Sequence, residues 1–361
     1  MSVLYRQRRF ARCLVIALFC ACGLSTVSAD DAPKEQKVPP EEQERVDNAV
    51  VRALQYLASQ QQADGSWKLN ATGNSAAGTS LAVMAFMASG HVPGEGPYGA
   101  RIDRGIHWVM EQQKANGLIA DMNTHGPMYT HGISTLMLAE ALGMMEEADA
   151  PQLRRTLEKG VKLIIAAQDR PGKSHNQAGG WRYQPESTDS DLSATGWQVL
   201  ALRAAKDVGC DIPAECIDRA VEYVKFCSVR DRRGFAYQPG QGQTPTLTGV
   251  GITCLEVCGE HHTKEAIGGA DWLKDAPLTL QSNHFYYGVY YTGVGMYKMG
   301  GKHAEWNRKH LVDVMLPIQD AASGAWVPRH GGEEAHGPIY GTALTVLALS
   351  VDYGYLPIYQ R

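Results

Sequence analysis

The 361-residue chain has 34 basic and 38 acidic side chains and a formal net charge of −4. With no basic stripe to follow a phosphate backbone, nucleic acid is excluded as an expected partner. The length left after an N-terminal segment is set aside suits one large domain or two small ones.

In chain order, MSVLYRQRRFAR is a basic start, CLVIALFCACGL a short apolar run, and Val27-Ser28-Ala29 a small-residue cleavage site. Together they read as a secretory signal peptide over residues 1–29, directing the chain to the periplasm or the extracellular space. The apolar run is too short for a transmembrane helix. Cys20 and Cys22 raise lipid attachment as an alternative, but neither sits in a convincing attachment motif, so simple export is expected. Residues 30–41 are charged and proline-rich and read as a leader with nothing to bury. The remaining residues, 42–361, are expected to form one domain.

Two kinds of helix alternate through that domain. Residues 42–60, 101–114, 151–168, 213–228, 263–274 and 303–317 are amphipathic, with one wet face. Between them lie AAGTSLAVMAFMAS, YTHGISTLMLAEALGM, SATGWQVLALRAA, TLTGVGITCLEVCG, FYYGVYYTGVGMY and YGTALTVLALSV. These are nearly uncharged, and a helix apolar almost all round must be buried on all sides. A short signature also recurs about every 50–60 residues, with one double gap: an amphipathic helix, usually a glutamine, a polar turn, a glycine, then a large apolar residue. Those apolar residues are Trp67, Leu118, Trp181, Phe235 and Trp326. The wet and dry sets close if the dry helices form an inner ring and the wet ones an outer ring. The expected fold is therefore all-α, an (α/α)6 toroid. In it the aromatic packs under the next repeat, the glycine permits a tight approach, and the glutamine amide bonds exposed helix-end groups.

The segments Gln61 to Trp67 and Gln319 to Trp326 resemble the QW repeat of squalene and oxidosqualene cyclases. The alternation with small-residue inner helices is similar to those enzymes and to protein prenyltransferase β subunits. The resemblance covers nearly the whole mature chain and implies the toroid fold. It also implies two chemistries to look for. Cyclases use a D-x-D-D-T-A acid motif, and the nearest match is Asp189-Ser190-Asp191-Leu192-Ser193-Ala194, which is incomplete. Asp189 and Asp191 are its candidate acids; they also suit helix capping. Prenyltransferases use zinc held by an Asp-x-Cys pair and a distant histidine. The mature chain has no Asp-x-Cys, and Tyr340 stands closer than His336 to the family's histidine position. No cofactor and no metal are expected. Cys258-Gly259-Glu260-His261 is too far from a thioester motif to carry that chemistry.

Five cysteines follow the cleavage site: Cys210, Cys216, Cys227, Cys254 and Cys258. Cys210 and Cys216 flank a short loop and are the candidate disulfide. Cys254 and Cys258 with His261 and His262 form a zinc alternative to plain burial. Ring closure would place the N-terminal halves of the inner helices around one mouth. The candidate ligand-facing residues there are Tyr129, His131, Trp197, His284, Tyr286, Tyr287, Tyr290, Tyr291, His336 and Tyr340. Aromatic faces suit a carbocation, an apolar molecule or a sugar.

Three functions follow as expectations. The first is a binding toroid for an apolar, isoprenoid-like small molecule in a central cavity. The second is a cyclase-like enzyme with Asp189 or Asp191 as acid. The third is an (α/α)6 carbohydrate-active lyase or hydrolase, which makes a glycan the alternative partner. Oligomeric state is not legible.

Overall fold

In each inner helix the sequence offers no polar face, so the helix has to be enclosed; that requirement builds the architecture. The computed structural model describes residues 39–121, 126–145 and 150–360. The expected signal peptide and all but residues 39–41 of the leader lie outside the described residues. Twelve α-helices are described, and from Pro39 onward they belong to one compact unit. The inner set is α2 (Ala76–Ala88), α4 (Pro127–Gly143), α6 (Leu192–Asp207), α8 (Pro245–Val257), α10 (Phe285–Met299) and α12 (Pro338–Leu349). The outer set is α1 (Pro40–Gln60), α3 (Gly99–Glu111), α5 (Pro151–Gln168), α7 (Ala214–Phe226), α9 (Lys264–Asp275) and α11 (Gly301–Met315). Each inner helix packs on the next, and α12 packs on α2, which closes the ring. The first outer helix starts two residues earlier than expected, because Pro40 fits the first helical position, where no amide hydrogen is needed.

All thirteen residues of α2 are buried. By contrast α1 buries Val46, Ala49, Val50, Ala53, Leu54, Leu57 and Ala58, one stripe at helical spacing. A two-stranded hairpin, β1 (Trp67–Leu69) and β2 (Gly73–Ser75), pairs antiparallel between α1 and α2. No described helix is long and apolar enough to cross a membrane.

The recurring signature is a clamp between neighbouring outer helices. Gln61 Nε2 donates to its own Gly65 carbonyl (3.0 Å) and to Arg101 O of the next outer helix (2.9 Å). Gln113 does the same with Gly117 and Thr156, and Gln168 with Gly179 and Cys216. Gln319 donates to Gly324 O and back to Ala49 O of α1, both at 2.8 Å, so the clamp also seals the seam of the ring. An arginine three residues beyond the accepting carbonyl returns a bond to the glutamine oxygen at Arg52, Arg104 and Arg219. The glycine in each turn has positive φ. At Gly179 (φ 88°) an added Cβ would lie 2.1 Å from Arg219 O, so no other residue fits. Between α7 and α9 the roles reverse: Arg232 takes the left-handed turn (φ 58°), and Gly268 of α9 supplies the clearance.

The aromatic is the wedge behind each clamp. Trp67, Trp181 and Trp326 are buried and donate Nε1–H to Leu57 O, Ile164 O and Met315 O. Their backbone amides donate to threonine hydroxyls of the inner helix, Thr79, Thr195 and Thr342. Phe235 uses Thr248 in the same way. In the second repeat the wedge is Ile119, one residue beyond the expected Leu118. Its amide donates to His131 Nδ1.

The expected Cys210–Cys216 bridge is not formed. Both residues are buried free thiols. Cys210 closes the end of α6 through its amide, and Cys216 sits on the buried face of α7 under Gln168. Burial pushes both thiols up, Cys216 to about 11, so they pack as small apolar groups.

Candidate functional site at the mouth of the ring

The inner helices begin around one opening, and their starts alternate in chemistry. Helices α4, α8 and α12 begin with Pro127, Pro245 and Pro338. The other three are capped by a carboxylate. Asp121, from the loop before α4, accepts from Ser75 Oγ and the Ala76 amide at the head of α2. Asp191 is the N-cap of α6 and accepts from the Ala194 amide (2.8 Å) and Ser193 Oγ (2.6 Å). Glu333, from the loop before α12, accepts from the Tyr286 and Tyr287 amides of α10 (2.9 and 3.0 Å) and from Tyr340 OH (3.2 Å). Each carboxylate satisfies amides that a helix start leaves free and sits where the helix dipole favours negative charge. Burial nevertheless pushes all three carboxyls up, Glu333 to about 7.

Asp191 and Glu333 are fully enclosed, so neither presents an oxygen to a ligand. Asp189 is half exposed and pairs with Arg182 at 3.2 Å, while Arg182 Nε lies 3.5 Å from Asp191. The guanidinium of Arg182 rests over the rings of Tyr183 (4.7 Å) and Tyr237 (5.4 Å), and the two tyrosine hydroxyls bond to each other. Beside this group, Ser193 gathers three partners. Tyr129 OH lies 2.6 Å from its hydroxyl, Tyr287 OH donates to its carbonyl at 2.7 Å, and its own hydroxyl donates to Asp191. Tyr129, Ser193, Arg182, Tyr183, Tyr237 and Tyr340 all keep partial exposure. The mouth therefore offers hydroxyls, a guanidinium paired with Asp189 and aromatic faces, with Asp191 and Glu333 held behind them.

The remaining sequence candidates lie elsewhere or pack inward. Trp197 stacks on Tyr290 (5.2 Å between centroids, 10° between planes) and meets Tyr287 and Tyr291 edge-on. These rings are buried and fill the centre of the toroid. Tyr286 is buried and donates its hydroxyl to Val327 O. His131 is fully enclosed with both ring nitrogens engaged, Nδ1 by the Ile119 amide and Nε2 by Gly160 O. Burial drives it down to about 4, so it is neutral and fills the place that threonine holds in other repeats. His284, exposed and left-handed (φ 53°), precedes α10 and donates its amide to Gly331 O. His336 packs on Tyr340, and burial, then the nearby His284, pulls it down.

Among the described residues no group of three histidines, cysteines or acids is placed to hold a metal ion. In the zinc alternative, His261 is held by Glu256 and His262 by Met299 O.

Sequence reasoning missed Asp121, Tyr183 and Tyr237, yet the repeat contains the signal. Each stands two residues beyond a wedge: Ile119 to Asp121, Trp181 to Tyr183, Phe235 to Tyr237. In an extended segment that spacing returns a side chain to the same side. Ser193 and Glu333 carried no comparable signal.

No family model and no curated protein sequence matches the chain. Solved structures do. A glycosidase variant in complex with glucose superposes with a TM-score of 0.60 at 14% identity, over 89% of this chain and 100% of that one. A variant of the type II terpene cyclase MstE from Scytonema, in complex with merosterolic acid A, gives 0.59 at 12% identity, over 88% and 100%. The GH76A α-1,6-mannanase from Salegentibacter sp. HEL1_6 gives 0.64 at 8% identity, over 86% and 99%. At such identities the likeness concerns the fold alone: the chain is an all-α, α/α toroid, an architecture shared by glycan-cleaving and terpenoid-forming proteins.

Proposed function

We propose that the protein is an exported toroid that binds a hydroxyl-rich ligand of the saccharide class at its mouth. The observation that carries this reading is the partly exposed set around Ser193: the Tyr129 hydroxyl on the serine hydroxyl, next to an arginine seated on the rings of Tyr183 and Tyr237. Such a surface matches alternating hydroxyls and apolar sugar faces. The isoprenoid-like ligand expected from the cyclase resemblance needs a deep apolar cavity, and Trp197, Tyr290 and Tyr291 occupy the ring centre.

Binding is favoured over hydrolysis. A glycosidase needs two carboxyl groups facing the bond from either side. Here Asp191 and Glu333 are enclosed as helix caps, and Asp189 is tied to Arg182. Cyclase-type protonation by Asp191 is disfavoured by the same cap and by the adjacent guanidinium. The glycosidase and mannanase neighbours support a saccharide, and the terpene cyclase neighbour supports the competing ligand.

Calorimetric titration with mannotriose and a panel of neutral oligosaccharides tests the proposal. Saturable binding should weaken about fivefold in Tyr129→Phe, the loss expected for one neutral hydrogen bond. Binding of linear polyprenes with no response to any glycan would overturn it.

A further inference from the structure

Below the aromatic layer, the other end of the ring is filled by the chain itself. After α12 the backbone makes a 3-10 turn at Val351–Tyr353, passes the left-handed Gly354 and makes a second turn at Pro357–Tyr359. This strap reaches several inner helices. Tyr355 lies against Gly90 just after α2, Pro357 against Gly143 at the end of α4, and Lys298 Nζ of α10 donates to Gln360 O. Leu356, Ile358 and Tyr359 are buried beneath the ring, and Tyr359 OH points at Leu347 O. The roof of this space holds Glu140 of α4, fully enclosed and without an ion-pair partner among the described salt bridges. The Ile358 amide donates to both its oxygens, at 3.3 and 3.4 Å.

We propose that residues 351–360 are a releasable plug, latched by Glu140, that occupies a site for an elongated apolar molecule bearing one hydroxyl. The side chains that fill the site are aliphatic and aromatic. Toward Glu140 the polar requirement is a single donor, met by the Ile358 amide and reproducible by an alcohol O–H; the Tyr359 hydroxyl is served separately by Leu347 O. Enclosing an acid costs desolvation that a purely apolar packing joint avoids. The groups facing Glu140 are the Ile358 amide and Tyr359 from the strap, Tyr290 and Lys298 from α10, and Asp207 from α6. Burial, then Asp207, pushes the carboxyl up to about 8, against the Ile358 amide and Lys298. The closed strap therefore holds a proton that the open one releases. Between the ordinary glutamate value and about pH 8, opening should rise about tenfold per pH unit. This inference stands apart from the saccharide reading of the mouth.

The test has two arms on the full chain. Amide hydrogen exchange of residues 351–360, corrected for the chemical rate, should show opening that rises about tenfold per pH unit from pH 5 to 8. Glu140→Gln should make it flat. In the second arm 1-decanol is titrated into the wild type and into an Ile358→Ala/Tyr359→Ala double variant. A folded double variant should bind at least tenfold tighter. Strap opening that is the same at pH 5 and 8 in the wild type overturns the latch. Equal decanol affinity in a double variant with native circular dichroism overturns the site. The exchange arm needs no substitution, so it decides even if the double variant does not fold.

Discussion

Replacing Gln168 with alanine puts the repeat clamp to a quantitative test. Gln168 is 3% exposed. Its Nε2 donates to Gly179 O and Cys216 O, each at 2.8 Å, and its Oε1 accepts from Arg219 at 2.8 Å. Truncation removes three bonds and leaves two carbonyls enclosed without their donor. At about 1 kcal/mol per net bond, the loss should be about 3 kcal/mol. That is a large share of the roughly 5–15 kcal/mol that holds a domain folded. Gln113 is the internal control. It donates the same two bonds, one stretched to 3.2 Å, and Lys159 stands at the position where other repeats carry arginine. Gln113→Ala should cost about 1–2 kcal/mol. Urea unfolding measures both, read as midpoint shifts at unchanged slope. If Gln168→Ala costs under about 0.5 kcal/mol, the scale of an ordinary surface substitution, the clamp does not hold the outer ring together.

Gly179→Ala should cost more than the glutamine change, because positive φ and a 2.1 Å clash with Arg219 O act together; loss of soluble folded protein in expression trials is the expected readout. Glu333 gives a pH signature. Its carboxyl is raised from 4.5 to about 7, so the folded state holds the proton longer than the unfolded chain. Stability should therefore fall as pH rises from about 4.5 to 7 and level off above, by up to about 3 kcal/mol. Glu333→Gln should remove that slope in urea unfolding followed across pH. Mass spectrometry of protein recovered from outside the cytoplasm should find Asp30 at the N-terminus, as cleavage after Ala29 requires.

The architecture was legible because burial leaves a compositional trace. AAGTSLAVMAFMA has no wet face and forms a wholly enclosed helix, while the stripe in α1 marks an outer one. The clamp was legible in its residue types, but not in its long-range partners. Gln61 signals a polar bond; nothing local says that Arg101 supplies the carbonyl. The site was harder for the same reason. A histidine heading an inner helix looks alike whether it meets a ligand or, like His131, a backbone amide from the preceding loop. Four tyrosines between 286 and 291 mark an inner helix, but ring diameter decides whether they line a space or fill it, and no local pattern encodes that diameter. Asp191 illustrates the acids: the side chain that the motif resemblance singles out is the N-cap of α6, with Oδ1 taken by the Ala194 amide and Oδ2 lying beside Arg182.

The most direct measurement is a crystal structure of the protein with mannotriose. The account predicts the sugar at the mouth, in contact with Tyr129, Ser193 and the Tyr183–Arg182–Tyr237 group, with the aromatic layer around Trp197 unmoved. A mouth left empty at saturating sugar, or a ligand seated inside a ring whose tyrosines have parted, would contradict it.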